Sequence, residues 1–337
     1  MGSSRRCHST GARERHRGPT CNDSPGFDVL RGAHFVLIRR YRMIRPLWNK
    51  IFVEPQRQAD AEAREYGAAH PGFDRKVAIV LITCAISLTV LEYFAMSNRY
   101  PTVVAMLDMV GGNGWACRLD AAMDRFGVAR YCSDATSWMV AHPTPVDHSA
   151  ELNRLIYWSL GCMLAYFVIP AFVVKGILRE KLMDYGFRLK GALKDAWIYV
   201  LMFAVVAPLV VLVSFDSHFQ ETYPFYTLAE GERLWPRFWA WEVMYFVQFL
   251  SLEFFFRGFL VHGTRQRLGY YSIFVMMVPY CMIHFGKPMP ETFGAIIAGI
   301  ALGSLSLKAR SIWLGVAIHV SVALSMDFAS LWQQGYF

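Results

Sequence analysis

The stretch "SLEFFFRGFL", residues 251–260, places a glutamate and an arginine inside an apolar, aromatic run. Glu253 and Arg257 are four residues apart, so on a helix they share one face and lie one turn apart. Ionisable groups are costly at membrane depth and tend to face a bundle interior or a wet cavity. The stretch therefore predicts a buried helix whose charged pair either holds the fold together or takes part in chemistry.

The composition of the whole chain is typical of a membrane protein. Of its 337 residues 55% are hydrophobic and only 18% are charged, against about 25% charged residues in soluble domains. Because a helix needs about 20 apolar residues to cross the hydrocarbon core, we predict an all-α, polytopic transmembrane bundle of about seven spans. The predicted spans are Val77–Met96, Leu155–Val174, Ala196–Ser214, Phe238–Leu260, Tyr271–Phe285, Phe293–Leu307 and Ile312–Trp332.

The distribution of charge predicts the orientation of these spans. A net charge of +8 could indicate a nucleic-acid partner, but Lys and Arg gather in alternate connections, as the positive-inside rule describes. The basic connections are the N-terminal tail, residues 175–195, and the segments after the fourth and sixth spans. We therefore expect a multi-pass protein of a bacterial inner (plasma) membrane, with a cytoplasmic N-terminus, the lipid bilayer as its partner and no nucleic-acid partner.

Three regions follow from this pattern. Residues 1–76 form a basic cytoplasmic tail, residues 77–174 hold the first two spans with an outer loop at 97–153, and residues 185–332 form the core. Residues 1–42 show no helical period and no apolar core of a signal peptide. They are expected to be a disordered tail, or to precede a working initiator at Met43.

Cysteines and small residues give two further expectations. Cys117 and Cys132 share the outer loop, where an oxidising compartment would allow a disulfide between them. Small residues recur at four-residue intervals in the sixth span, at Ala295, Gly299 and Gly303, and such spacing lets helix backbones approach closely. This span is therefore expected to lie inside the bundle.

Titratable residues concentrate in the last four spans. At a rise of about 1.5 Å per residue, Glu253, His284 and His319 lie about 15, 20 and 12 Å from the cytoplasmic face, so they are expected to converge. The charged residues and histidines in these spans, with Glu291 at the start of the sixth, are Glu242, Glu253, Arg257, His284, Glu291, His319 and Asp327.

One carboxylate and two imidazoles at similar depth suit two hydrolytic mechanisms. In the first, Glu253 deprotonates a water, His284 positions it and His319 donates to the developing oxyanion. In the second, Glu253, His284 and His319 hold a zinc ion that activates the water. The residues alone leave both open, together with a purely structural Glu253–Arg257 ion pair.

Three segments, "LEFFFRGFL", "YCMIHFGKP" and "SIWLGVAIH", resemble the motifs of the CAAX protease and bacteriocin-processing (CPBP, or Abi) family of intramembrane peptidases. The family pattern is Glu-Glu-x-x-x-Arg, Phe-x-x-x-His and His-x-x-x-Asn or Asp. Glu253 and Arg257 match the first motif, His284 the second, with Tyr280 in place of phenylalanine, and His319 the third. The resemblance spans residues 185–332 and implies an intramembrane endopeptidase, in a family labelled as metalloproteases, that acts on a peptide or lipid-associated protein.

Two positions depart from the family pattern. Leu252 stands where the family has its first glutamate, and Ala323 where it has asparagine or aspartate. Asp327, one turn further along, and Glu291 are the carboxylates that could substitute, and Glu242 extends the polar stripe of the fourth span. The alternative is a homologue without catalysis that acts as a membrane scaffold, or as an immunity or peptide-binding protein. A transporter is disfavoured, because no inverted repeats are evident.

Overall fold

The computed structural model describes residues 45–96, 148–189, 191–287 and 289–337, without the side chains of residues 148–150. The chain divides into two units, Met1–Asn49 and Lys50–Phe337. Only residues 45–49 of the first unit are described, and they are helical. Cys117, Cys132, most of the outer loop and the tail 1–42 lie outside the described residues, so the disulfide and the disordered tail stay predictions.

The described part of the second unit is helical and contains no β-strand, only an isolated bridge between Phe187 and Ser311. This confirms the predicted all-α class. The helices are α1 (Glu54–Ala69), α2 (Arg75–Ala95), α3 (Glu151–Ile177), α4 (Ala192–Val213), α5 (Ser217–Thr222), α6 (Arg237–Leu268), α7 (Tyr271–Met282), α8 (Met289–Ala309) and α9 (Trp313–Gln333).

Six of these helices are long and apolar enough to cross a membrane: α2, α3, α4, α6, α8 and α9. The fifth predicted span is shorter than expected, because α7 has 12 residues and is about 18 Å long. Pro279 lies near its end, and Gly286 takes a left-handed φ of 90° in the turn that follows. The next helix, α8, is longer than predicted and starts four residues earlier, at Met289.

Helix α6 is the central element of the bundle. Its apolar window is 61% buried, whereas that of α4 is 17% buried and presents Val200, Val205 and Leu209 outward. From Phe254 to His262 the helix widens into a nine-residue π-helix whose side chains are all buried. Such π segments are rare and often mark functional sites. The aromatic run that opened the sequence analysis is thus enclosed on every side.

Helix α8 packs against α7 through its small residues. Ala295, Gly299 and Gly303 are all buried. A Cβ added at Gly299 would lie 3.3 Å from the ring of Tyr280, and one at Gly303 would lie 3.0 Å from Ile273. The prediction that this span lies inside the bundle is confirmed.

Basic residues from distant connections meet at one end of the bundle. Lys50 Nζ lies 2.7 Å from Asp195, and Lys308 Nζ lies 3.4 Å from the same carboxylate. The connections that the positive-inside rule placed together therefore share one side. Which side faces the cytoplasm stays a prediction.

Glu62 holds the amphipathic helix α1 to this end. Its two oxygens lie 2.5 Å from Arg265 and 2.5 Å from Arg310. Burial on its own raises the pKa of Glu62, but the hydrogen bond from Gln58 and the charges of Arg310 and Arg265 outweigh it and hold that pKa below its usual value. This attachment is therefore present at neutral pH and is lost only as the pH falls through the lowered pKa.

The close approach of α2 and α3 gives a test of the packing. A Cβ added at Gly161 would lie 2.3 Å from the Cβ and 3.0 Å from the Cα of Ala95, closer than atoms can approach. We expect Gly161→Ala to lower the free energy of unfolding by about 1–3 kcal/mol, the usual cost of overpacking. Thermal unfolding of the detergent-solubilised protein measures this.

Gly294→Ala is the matched control, since nothing lies within 4 Å of its added Cβ. Alanine is the better helix former by about 1 kcal/mol, so this variant should be as stable as the wild type or more so. Equal unfolding temperatures for the two variants would contradict the packing of α2 on α3.

Candidate active site

Glu253 and Arg257 form a buried ion pair at the start of the π-helical part of α6. Arg257 Nη1 lies 3.0 Å from Glu253 Oε1, and the two side chains are 0% and 1% exposed. The four-residue spacing thus brings them together as the sequence predicted. Taking one partner away from such a pair leaves an uncompensated buried charge, at a cost of about 3–5 kcal/mol.

His319 on α9 is the third member of this cluster. Its Nδ1 lies 2.8 Å from Glu253 Oε1, so the carboxylate faces a guanidinium and an imidazole at once. The ring stacks on Phe249 of α6, with centroids 5.5 Å apart and an angle of 5° between the planes. Its side chain is 17% exposed, which makes it more accessible than either member of the ion pair.

Tyr280 on α7 joins the other site residues. Its hydroxyl lies 3.0 Å from His319 Nε2, and the Cζ of Arg257 lies 3.9 Å from its ring centroid. Its backbone oxygen lies 2.7 Å from His284 Nδ1. A phenylalanine here could stack on Arg257 but could not reach His319 with a donor. From the sequence, Tyr280 is only a replacement of the family's phenylalanine. The added hydroxyl is the feature of the sequence that could have indicated its contact with His319.

His284 lies at the edge of the cluster, in the turn after α7. Its ring packs against that of Tyr280, with centroids 4.8 Å apart, and it is partly exposed. Tyr280 lies between His284 and His319. The structure thus brings Glu253 and His319 into direct contact and places His284 beside them through Tyr280.

Gly315 lets α9 approach the carboxylate. A Cβ at this position would lie 2.2 Å from Glu253 Oε2. Among the described residues, Oε2 finds no hydrogen-bond donor. The distances from Oε1 to Arg257 and His319 are short, but the angles there do not meet hydrogen-bond geometry either. The carboxylate is therefore held by charge contacts and by close packing against Gly315.

The predicted supporting residue Glu291 has its own partners. Lys287 Nζ lies 2.8 Å from Glu291 Oε1, and the Tyr223 hydroxyl donates to its Oε2 at 3.4 Å. The neighbouring residue Thr292 links the start of α8 to His284, because its hydroxyl donates to the His284 carbonyl at 2.9 Å. Glu291 therefore anchors the segment after α7 to the connection between α4 and α6.

The other two supporting residues form a separate acidic pair. Glu242 on α6 and Asp327 on α9 are both buried and lie close enough to interact electrostatically. Asp327 is eight residues beyond His319, about 12 Å along the helix. Among the described residues this pair is a second acidic centre, about two turns from the first.

The departures from the family motifs lie in apolar surroundings. Leu252 packs against the central hydrophobic cluster that includes Phe254. Ala323 is buried among apolar residues of α3, α6 and α9. Neither position adds a polar group to the cluster, and the side chains in direct contact with the Glu253 carboxylate include Arg257 and His319.

Together these features define a multi-pass helical membrane protein with a carboxylate–histidine centre buried in its core. Residues 234–325 match the family model described as "Type II CAAX prenyl endopeptidase Rce1-like". This segment is therefore an Rce1-like CAAX-protease domain, which confirms the resemblance to the CPBP family. The match is shorter than the predicted core and contains Glu253, Arg257, His284 and His319. Neither a comparison with curated proteins nor one with solved structures finds a match.

The donor arrangement does not fit the zinc site that the sequence suggested. In the described residues, no three His, Cys, Asp or Glu side chains come together as a metal-binding group. His319 turns Nδ1 to Glu253 and Nε2 to Tyr280, and His284 turns Nδ1 to a backbone carbonyl. A zinc ion would have to displace these partners.

Metal analysis tests this reading of the site. We expect purified wild-type protein and His284→Ala to carry the same low zinc content, well below one ion per chain. The reason is that Glu253, His284 and His319 are not arranged around a common point where a zinc ion could bind. Elemental analysis after dialysis against a zinc buffer measures it. About one zinc per wild-type chain, lost in His284→Ala, would contradict this arrangement.

Proposed function

We propose that this chain is an intramembrane endopeptidase that hydrolyses a peptide bond of a peptide or lipid-associated protein with a water activated by the Glu253–His319 pair. The observation that carries the proposal is the 2.8 Å contact between His319 Nδ1 and Glu253 Oε1, within the segment that matches the CAAX-protease model. A carboxylate that orients a histidine is a recurring device for water and nucleophile activation.

In this proposal Glu253 acts through His319. The sequence suggested Glu253 itself as the base, but its carboxylate is enclosed by Arg257, His319 and Gly315. His319 is the more accessible member of the pair, and its Nε2 faces Tyr280 and not Glu253. Nε2 takes the proton of the attacking water, and the charge of Glu253 stabilises the imidazolium that forms. When the peptide bond breaks, the imidazolium returns this proton to the leaving amine.

Tyr280 and His284 border the position of the attack. The Tyr280 hydroxyl lies next to His319 Nε2. When a substrate is bound, this hydroxyl can redirect its hydrogen bond from the nitrogen to the oxyanion that develops on the substrate carbonyl. The Tyr280 ring lies over Arg257. This contact fixes the ring in place and keeps the positive charge of Arg257 close to the oxyanion. His284 completes this side of the site and positions the water.

A scaffold without catalysis is the second candidate. The observation that favours it is the apolar character of Leu252 and Ala323, two positions where the family motifs carry polar groups. In that case the Glu253–Arg257 pair serves the fold alone. A folded Glu253, His284 and His319 triple mutant that still performs the cellular task would favour the scaffold.

The first test is cleavage of peptides by the purified protein in lipid nanodiscs, with a prenylated C-terminal peptide, suggested by the family name, among the substrates. We expect Glu253→Gln, His284→Ala and His319→Ala each to lower kcat/KM, by about 10²–10⁴-fold for the general-base residues. His218→Ala is the control, since the His218 side chain is exposed and lies 3.7 Å from Glu221. Unchanged cleavage in all three site variants would remove the proposed mechanism.

The second test concerns the tyrosine hydroxyl. Tyr280→Phe keeps the ring over Arg257 but removes the donor, so we expect kcat to fall about 10²-fold, as on loss of one oxyanion donor, with little change in KM. Tyr270→Phe is the matched control, because it removes another buried hydroxyl, one bonded to Ser304 at 2.8 Å. Equal kcat values for the two variants would show that Tyr280 only packs.

A further inference from the structure

The connection between the spanning helices α3 and α4 is a basic hairpin at the membrane boundary. Helix α3 ends at Ile177 and α4 begins at Ala192, and both are long and apolar enough to cross a membrane. Residues 175–195, from the last turn of α3 to the first turn of α4, form this basic hairpin. Because it joins two consecutive spans, it lies at the level of the lipid headgroups.

One side of the basic hairpin is fixed to the bundle. Phe187 packs its ring against those of Phe254 and Trp313, with centroids 5.1 and 5.9 Å apart. The Gly186 carbonyl accepts a hydrogen bond from the Ile312 N–H at 2.9 Å. These contacts hold the hairpin against α6 and α9, and the side chains on its other side are left to the surroundings of the bundle.

The free side of the basic hairpin exposes large apolar side chains. Four of them are each at least 50% exposed: Ile177, Met183, Leu189 and Leu193. Apolar side chains of an element that lies in the membrane interface enter the boundary between the headgroups and the acyl chains. The hairpin therefore has a surface that lipid, and not water, is suited to cover.

Every carboxylate of the basic hairpin already has a cationic partner in the protein. The three pairs are Glu180 with Lys76 at 2.8 Å, Asp184 with Arg188 at 2.6 Å and Asp195 with Lys50 at 2.7 Å. No acidic side chain of the hairpin is therefore left to neutralise its other basic residues.

Four cations of the basic hairpin have no acidic partner among the described residues. They are Lys175, Arg179, Lys181 and Lys194, and all four are exposed. Along the chain these cations alternate with the exposed apolar side chains. The hairpin thus presents unpaired positive charge and apolar surface together, at the depth where lipid headgroups meet their acyl chains.

We propose that the basic hairpin binds anionic phospholipids, with its unpaired cations on the headgroup phosphates and its exposed apolar side chains among the acyl chains. Clustered basic residues beside a membrane span attract anionic headgroups. A zwitterionic lipid carries the same phosphate but adds a positive group that the cations repel. Free phosphate would leave the apolar side chains uncovered. The lipid site does not depend on hydrolysis, so it is independent of the endopeptidase proposal.

Lipid titration of the full chain in detergent tests this proposal. The probes are phosphatidylglycerol, which is anionic, and phosphatidylcholine, which is zwitterionic, with identical acyl chains. Native mass spectrometry counts the lipids bound to each chain. One headgroup contacts one or two of the cations, and each cation contributes about fivefold to the affinity. We therefore expect phosphatidylglycerol to bind about 5- to 25-fold tighter than phosphatidylcholine.

Charge variants locate the preference. Arg179→Gln combined with Lys181→Gln should lower the affinity for phosphatidylglycerol by about fivefold or more and leave that for phosphatidylcholine unchanged. The matched control combines Arg154→Gln with Arg233→Gln, which changes the net charge equally through two exposed cations. Arg154 lies in the first turn of α3 and Arg233 between α4 and α6, at the other end of the bundle, so this control should keep the preference. Circular dichroism and gel filtration confirm that the variants fold.

The outcomes separate the lipid site from its alternatives. Equal affinities for the two lipids in the wild type, no loss in the hairpin variant, or equal losses in the two double variants would each overturn the lipid site. Displacement of phosphatidylglycerol by excess inorganic phosphate, beyond that caused by sodium chloride at the same ionic strength, would show a phosphate site and contradict it too. A hairpin-dependent preference in a protein that cuts no peptide would support the lipid site and contradict only the endopeptidase.

Discussion

The structure depends on the carboxylate of Glu253, which is buried at the centre of the bundle and faces Arg257 and His319. A carboxylate at this depth needs opposite charge and close packing, or the bundle pays the cost of an uncompensated ion. The two partners come from different parts of the chain, since Arg257 follows on α6 whereas His319 lies on α9. The contact between Glu253 and His319 therefore joins α9 to α6, and Gly315 is the residue that lets the two helices approach closely enough.

The same contact organises the rest of the candidate site. Tyr280 packs its ring on Arg257 and its hydroxyl against His319, so α7 is held by the two residues that contact Glu253. The shortness of α7 brings His284 to the edge of the cluster, in the turn after the helix, and Gly299 of α8 packs against the Tyr280 ring. The groups that stabilise the buried charge are thus also the groups proposed to carry out hydrolysis. If the Glu253–Arg257 pair only stabilised the fold, no tyrosine hydroxyl would be required next to His319 Nε2.

Much of this arrangement could be predicted from the sequence, for identifiable reasons. Apolar runs of sufficient length predict membrane helices, and the four-residue spacing of Glu253 and Arg257 predicts their contact. The depths of Glu253 and His319 follow from helical rise. Tyr280 was missed because its role depends on the direction of a hydroxyl, and Gly315 because its role depends on a neighbouring helix. The second acidic pair was missed as a pair, since Glu242 and Asp327 are 85 positions apart in the chain and only tertiary packing brings them together.

A double-mutant cycle on Glu253 and Arg257 tests the central contact most directly, because it measures the free energy of unfolding and needs no substrate. The variants are Glu253→Gln, Arg257→Gln and the double mutant, each unfolded in mixed micelles under the same conditions. If the two groups neutralise each other, each single change costs about 3–5 kcal/mol, and the double mutant loses less than the sum, with a coupling energy of about 1–3 kcal/mol. Additive losses would show that the charges do not interact, and would contradict the arrangement on which the fold and the proposed chemistry both rest.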